Sequence, residues 1–155
     1  MTAKRTATST LIAAPDAAEI AARLRLSSTR LARVLRQQTD PTLTPSQLSA
    51  LVSVAHHGPL TLGALADHER VAPPSITRVV TKLEDAGLVT RQVDTGDRRV
   101  ARVAITGAGE ALLAETRQRK NAWLAARLAD LDPDELDRLA AALDVLDSLT
   151  ATDRP

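Results

Sequence analysis

The hydrophobic repeat of this 155-residue chain changes from helical spacing to alternation once, and then changes back. Up to Ala86, and again after Thr106, apolar residues recur at the three- and four-residue intervals of amphipathic helices. From Leu88 to Ile105 the β-branched content rises and polar residues interleave with apolar ones, around a turn-rich segment at residues 94–97. This alternation predicts a β-hairpin. The fold class that follows is mainly α with a small β-hairpin (α+β).

Helix starts are marked by residues that can cap free backbone N–H groups. A capping-box pattern, in which a short polar residue precedes Glu or Gln by three positions, occurs at Asp16, Thr44 and Asp132. Proline follows two of these caps, at the first helical position where it is tolerated. The signals predict six helices around the hairpin, in the order four helices, two strands, two helices.

The composition excludes several kinds of chemistry. The chain has no Cys, which rules out disulfides, thiolate metal sites and redox sensing by thiols. It has 28 Ala and 23 Leu but one Trp and no Phe or Tyr, so the core is built from small aliphatic side chains. Twenty basic and 19 acidic residues leave a net charge of +1, so any contact with nucleic acid must use local patches.

The apolar runs of the sequence are too short for a membrane span or for the core of a signal peptide. We therefore expect a cytoplasmic protein without membrane association, with a flexible N-terminal tail over residues 1–15.

The fourth predicted helix has one apolar and one polar face. Ile76, Val79, Val80 and Leu83 form a buried stripe, and Arg78 lies on the opposite side with Pro74, Thr77 and Thr81, flanked by Lys82. In a major groove, Arg can bind guanine through two hydrogen bonds, and Thr can contact thymine or other bases. The alternative is an ordinary solvated helix face.

The turn of the hairpin carries two adjacent cations, Arg98 and Arg99, after Asp97. A thin, projecting turn can insert an Arg into a narrow minor groove, where the negative potential is enhanced. Asp97 can pair with an Arg and hold the shape of the turn. The alternative is a polar hairpin tip with an incidental ion pair.

The spacing of several short motifs resembles the signature of the MarR family of transcriptional regulators. The motifs are Ser75-Ile76-Thr77-Arg78, Leu83-Glu84, Gly87-Leu88-Val89, Asp97-Arg98-Arg99 and Thr106-Gly107-Ala108-Gly109. The resemblance implies a homodimeric winged helix-turn-helix repressor or activator. It also implies that the helix over residues 73–86 reads the major groove, that Arg99 reaches the minor groove and that Asp97 braces it.

The domain organisation follows from combining this resemblance with the apolar faces of the terminal helices. We expect a tail at 1–15, a dimerisation helix at 16–40, a DNA-binding lobe at 41–106 and C-terminal dimerisation helices at 107–155. The apolar face from Leu136 to Leu149 needs a partner surface, which independently favours a homodimer. The candidate DNA contacts are Pro74, Ser75, Thr77, Arg78, Thr81, Lys82, Asp97, Arg98 and Arg99.

Three histidines and the single tryptophan are the remaining candidates for chemistry. Adjacent His56 and His57 point about 100° apart on a helix, and with His68 they lack a chelating spacing, so we expect helix-end histidines and no metal. The family often binds small aromatic or phenolic acids, and Trp123 could line such a pocket or belong to the core. No cofactor site is indicated.

The function expected from the sequence is sequence-specific DNA binding by a transcriptional regulator, with repression preferred over activation and with release by a small effector left open. An enzyme is not expected, because the chain contains neither a nucleophile elbow nor a phosphate-binding loop. The alternative is a winged-helix module that binds another protein and has little affinity for DNA. The paired turn arginines together with Arg78 favour DNA, since an interaction module needs no such combination.

Overall fold

The computed structural model describes residues 16–38, 42–93, 96 and 100–151. Within these residues the order of elements is α1 (Ala17–Gln37), α2 (Pro45–His57), β1 (Leu60–Thr61), α3 (Leu62–Glu69), α4 (Pro73–Asp85), β2 (Val89–Val93), β3 (Ala101–Ile105), α5 (Gly107–Leu128) and α6 (Pro133–Ala151). The predicted fold class is therefore confirmed, with one strand more than expected. The chain divides into two compact units, residues 1–37 and 38–155. The predicted tail at 1–15 lies outside the described residues.

Helix α1 is the described part of the first unit. Asp16 caps it, as predicted, but its carboxylate accepts the N–H of Ala18 at 3.1 Å rather than that of Glu19. An N-cap side chain can bond either of these positions, so the change is a shift of one residue. Ile20 and Leu31 are 49% and 45% exposed, which leaves apolar surface on this helix.

The core of the second unit lies where α2, α3 and α4 pack against one another and against the sheet. Its buried side chains are all aliphatic, as the composition predicts: Ala50, Leu51, Val54, Leu65, Ala66, Ile76, Val80, Leu83, Leu88, Val89 and Val103. Burial of each large member contributes about 1.5–3 kcal/mol. This packing fixes the position of α4 through its buried face.

The sheet has three antiparallel strands in the order β1-β3-β2. The predicted hairpin is present, with Val89 opposite Ile105 and Val93 opposite Ala101. The expectation of two strands was incomplete, because β1 pairs Leu60 with Val103 on the other edge of β3. A strand of two residues is too short to show any alternation.

Capping interactions begin the later helices as the sequence predicts. Thr44 and Gln47 form the reciprocal capping box of α2, and Asp132 and Glu135 form that of α6. Thr106 caps α5 by accepting the N–H of Gly109 at 3.1 Å.

No helix in the described part of the chain combines the length and the apolar character needed to cross a lipid bilayer.

Candidate nucleic-acid interface

Helix α4 presents a polar outer face on the side opposite the core. Three of its side chains, Ile76, Val80 and Leu83, are at most 1% exposed, and they fix the rotation of the helix about its axis. Val79 completes the predicted stripe but is only half-buried. Six residues are exposed and define what we call the outer face of α4: Pro74, Ser75, Thr77, Arg78, Thr81 and Lys82. The structure thus brings together all the α4 residues that the sequence predicted.

The start of α4 is built without a side-chain cap. The N-cap is Ala72, and Pro73 occupies the first helical turn, where the missing N–H costs nothing. The N–H groups of Ser75 and Ile76 both bond to the carbonyl oxygen of Ala72. The exposed N-terminal turn therefore carries few free backbone donors, and its side chains dominate what it offers a ligand.

Two threonine hydroxyls on the outer face are engaged with their own helix. Thr77 Oγ1 donates to the carbonyl oxygen of Pro73 at 2.9 Å, and Thr81 Oγ1 donates to that of Thr77 at 3.0 Å. Bonding to the carbonyl one turn back is a common arrangement for threonine within a helix. Because each hydroxyl has a single proton, these side chains offer an approaching group lone pairs and a methyl group.

The charged groups of the outer face are cationic. Arg78 is exposed and makes no ion pair within the described residues, and its guanidinium carries five N–H donors. Lys82 lies 3.9 Å from Asp85, and both side chains are more than 60% exposed. An exposed pair of this kind is weak, so Lys82 is available for other anions as well.

The three turn residues that the sequence predicted, Asp97, Arg98 and Arg99, lie outside the described residues. The strands that lead to the turn are described up to Val93 and from Ala101, which face each other in register. We call the segment 94–99 the wing.

Sequence reasoning missed an ion pair between the sheet and α4. Arg91 on β2 places Nε 3.3 Å from Glu84 Oε2, and its terminal nitrogen donates to Thr81 Oγ1 at 3.5 Å. Glu84 was noticed only as part of a motif, and Arg91 was not singled out. The only available signal was their opposite charge, since Glu84 lies at the end of a helix and Arg91 on the strand that follows it.

Comparisons with known proteins agree on one family. The sequence model of the MarR family matches residues 43–101. An HTH-type transcriptional regulator of Mycobacterium tuberculosis is 42% identical over 130 residues, which cover 83% of this chain and 91% of the relative. The chain belongs to the MarR family.

Two further comparisons support the assignment. The HTH-type transcriptional repressor MdtR of Bacillus subtilis is 32% identical over 94 residues, or 61% of each chain. The solved structure of a MarR family protein from Bacillus stearothermophilus matches with a TM-score of 0.70 at 27% identity, covering 86% of this chain and 94% of that one. As a MarR-family member the chain is a DNA-binding winged-helix transcriptional regulator and not an enzyme.

The histidines of this MarR-family chain lie at helix ends, as predicted. His56 and His57 are in the last turn of α2, and His68 is in the last turn of α3. The rings of His57 and His68 stack with centroids 4.3 Å apart and an angle of 16° between their planes. In the part of the chain that the structure describes, no three His, Asp or Glu side chains form a group suited to a metal ion.

A cavity of about 280 Å³ lies between α2 and α5 of this regulator. Its apolar wall includes Leu48, Val52 and Leu113, and its cationic rim includes Arg117 and Lys120. Thr116 also lines the cavity; it is 4% exposed, and its hydroxyl has no hydrogen-bond partner within the described residues. A buried hydroxyl without a partner costs about 1–3 kcal/mol, which a bound ligand could recover.

Trp123 lines neither this cavity nor a second one, of about 330 Å³, beside α4. It is half-buried, and the guanidinium of Arg127 lies 3.5 Å from the centre of its ring. This cation–π contact occupies one ring face.

Proposed function

We propose that this MarR-family chain is a repressor that binds a pseudo-palindromic operator as a homodimer. In this proposal α4 enters the major groove and the wing lies at the minor groove. The observation that carries it is the outer face of α4, where six exposed residues are backed by the buried side chains of Ile76, Val80 and Leu83. Repression rather than activation is supported by the name of the relative MdtR, a transcriptional repressor.

Arg78 is the proposed principal base reader. Its guanidinium is exposed on the outer face and makes no ion pair within the described residues, so binding guanine breaks no ion pair there. Two parallel hydrogen bonds from Arg to guanine contribute about 1–3 kcal/mol of discrimination against other bases. Lys82, with its weak partner Asp85, is suited to a phosphate.

The proposed role of the wing rests on its sequence and on the strands that lead to it. Arg98 and Arg99 follow Asp97 at the end of a ribbon whose pairing extends to Val93. An Arg in the minor groove reads groove width and A·T content rather than a unique base. The wing would therefore add affinity in A·T-rich flanks, while α4 sets the central sequence.

The proposed homodimer rests on exposed leucines of α6. Leu136, Leu139, Leu143 and Leu149 are between 38% and 60% exposed in the single chain. A contiguous apolar stripe on a soluble protein is typical of a surface that binds another protein. Two-fold symmetry would place two copies of α4 about 34–36 Å apart, one turn of DNA.

Selection of bound sequences from a random DNA pool tests this function. The wild type should enrich two half-sites one helical turn apart, and Arg78→Ala should lose its preference at one guanine in each half-site. The matched control is Arg138→Ala, which removes the same charge from exposed α6 in the acidic C-terminal region. If the wild type enriches no sequence, the chain is better described as an interaction module.

The same operator tests the wing. Arg99→Ala should weaken binding when the flanks are A·T-rich and leave the preference at the central positions unchanged. If Arg99 also neutralises a phosphate, the slope of log affinity against log salt should fall by about 0.9. Unchanged affinity on both A·T-rich and G·C-rich flanks would limit the proposal to α4.

The cavity between α2 and α5 is the proposed site of a small aromatic or phenolic acid that releases the operator. Its apolar wall suits an aromatic ring, Arg117 and Lys120 suit a carboxylate, and Thr116 supplies a buried hydroxyl. Thr116→Val keeps the shape and removes the hydroxyl. It should raise the concentration of a substituted benzoate needed for release by roughly tenfold, the effect of one hydrogen bond to a charged group. Gln118→Ala, at an exposed position of the same helix, is the control.

A further inference from the structure

Three side chains form a clamp between β2 and the outer face of α4. Arg91 contacts Glu84 through Nε at 3.3 Å and Thr81 through its terminal nitrogen at 3.5 Å. Thr81 and Glu84 are one helical turn apart, so a single planar guanidinium reaches both. The side chains of Arg91 and Glu84 are each less than two-fifths exposed, which makes the pair better shielded than that of Lys82 and Asp85.

The clamp limits the hydrogen bonds that the hydroxyl of Thr81 can make to a DNA base. Its proton is donated to the carbonyl oxygen of Thr77 at 3.0 Å, and one lone pair accepts from Arg91. A base amino group that approached the remaining lone pair would meet the positive guanidinium. The hydroxyl of Thr77 likewise donates its proton, to the carbonyl oxygen of Pro73. It differs from Thr81 in that no donor among the described residues bonds to its oxygen. The methyl group is therefore what Thr81 can offer a base edge.

The clamp also neutralises a carboxylate close to the proposed DNA surface. Glu84 lies three residues beyond Thr81, and an unpaired acid there would repel phosphate. The pair with Glu84 occupies Nε of Arg91, and the bond to Thr81 uses one of its terminal nitrogens. The geometry thus suits Arg91 to positioning Thr81 rather than to binding phosphate itself.

We infer that Thr81 recognises the C5 methyl of a thymine at one position of each half-site, and that Arg91 is the residue that positions Thr81 for this. The inference rests on the proposed function, in which α4 lies in the major groove. Beyond the proposed function, the inference names the base that Thr81 selects. It also names Arg91, a residue of the sheet, as necessary for that selection. Thymine is the base that carries a methyl group in the major groove.

Two substitutions at exposed Thr81 separate its methyl from its hydroxyl. Thr81→Val keeps a methyl group and removes the hydroxyl, whereas Thr81→Ser does the opposite. In selection from random DNA, the wild type should enrich thymine at a half-site position where Thr81→Ser shows no preference, and Thr81→Val, which keeps the methyl group but loses the bond from Arg91, should enrich it less strongly. In the selected operator, deoxyuridine at that position should weaken the wild type about fourfold, the effect of burying one methyl group, and Thr81→Val by a smaller factor. Thr81→Ser should bind both operators equally.

Arg91→Gln tests the positioning role. It should reduce the discrimination between thymine and deoxyuridine, and the slope of log affinity against log salt should stay within one half unit of the wild type. The control is Arg102→Gln, which removes a guanidinium from the opposite face of the same sheet and should leave the discrimination unchanged. A fall of about 0.9 in the slope, with discrimination intact, would make Arg91 a phosphate contact and overturn its positioning role.

The outcomes distinguish this inference from the proposed function. A selected operator on which Thr81→Ser discriminates as the wild type does overturns the role of Thr81 and leaves the function of α4 standing. Preference for adenine or cytosine at the Thr81 position also overturns it, because those bases would be bound through the hydroxyl oxygen. The absence of any selected sequence overturns both.

Discussion

At the scale of single residues, the start of α5 leaves no room for a side chain at Gly109. A Cβ atom placed there would overlap the carbonyl oxygen of Leu88 and lie 2.7 Å from Cγ1 of Ile105. Thr106 holds the same region together by donating its hydroxyl to the carbonyl oxygen of Gly87 at 2.7 Å. Close contacts around this glycine therefore connect the start of α5 with the end of β3 and with the turn after α4.

We predict that Gly109→Ala lowers the free energy of unfolding by about 1–3 kcal/mol, the usual cost of overpacking. A backbone oxygen cannot move aside as a flexible side chain does, so α5 must shift. The control is Gly107→Ala, because a Cβ atom at that position has no heavy atom within 4 Å. Urea denaturation measures both, and equal stabilities of the two variants would contradict the prediction.

Residue-scale features were predictable from sequence only where the partners are close along the chain. The boxes at Thr44 and Asp132 join positions three apart, and their spacing predicted them. The motif at Gly109 was visible, but the strand carbonyl that excludes a side chain there was not. The ion pair of Glu84 with Arg91 crosses from a helix to a strand, where no periodic pattern relates one residue to the other.

At the scale of elements, α2 and α3 are joined by a charge-assisted hydrogen bond. Ser53 Oγ donates to Glu69 Oε1 at 2.6 Å in a half-buried setting. We predict that Ser53→Ala lowers the free energy of unfolding by about 1.5–3 kcal/mol, the range for hydrogen bonds to charged groups. Ser49→Ala, one turn earlier at an exposed position, is the control and should change stability by less than about 0.5 kcal/mol. Thermal unfolding that ranks the two variants equally would show that this bond adds nothing.

Element boundaries followed from the sequence wherever a cap or a change of period marked them. Helix α4 was expected over residues 73–86 and extends over Pro73–Asp85, with Ala86 as its C-cap. The strand β1, Leu60–Thr61, was not predicted from the sequence. Its pairing with β3 is a contact between segments some 40 residues apart, and a two-residue strand carries no local signal for it.

At the scale of the whole molecule, the exposed leucines of α6 are the feature on which the proposed dimer rests. The leucines at 136, 139, 143 and 146 follow the alternating three- and four-residue spacing of a helix-pairing seam. Leu146 is half-buried, and Leu143 is 52% exposed. The sequence predicted this stripe from spacing alone. Spacing alone could not specify a partner surface for the stripe, because a pattern within one helix carries no information about another chain.

Leu143→Asp should therefore convert the proposed dimer into a folded monomer that no longer binds the full operator tightly. In the dimer, the Asp carboxylate would be buried in an apolar interface opposite the same residue of the second chain, which destabilises the dimer by several kcal/mol. In the single chain the position is half-exposed, so the carboxylate is tolerated. A monomer binds only one half-site, so it loses the increase in affinity that comes from binding both half-sites at once. That increase is about 100-fold or more. The control is Ala141→Asp, which introduces the same charge about 200° around the helix from Leu143.

Sedimentation velocity measures the loss of the dimer and operator titration measures the loss of affinity, and circular dichroism checks that both variants fold. A Leu143→Asp chain that sediments as a stable dimer would exclude α6 from the interface.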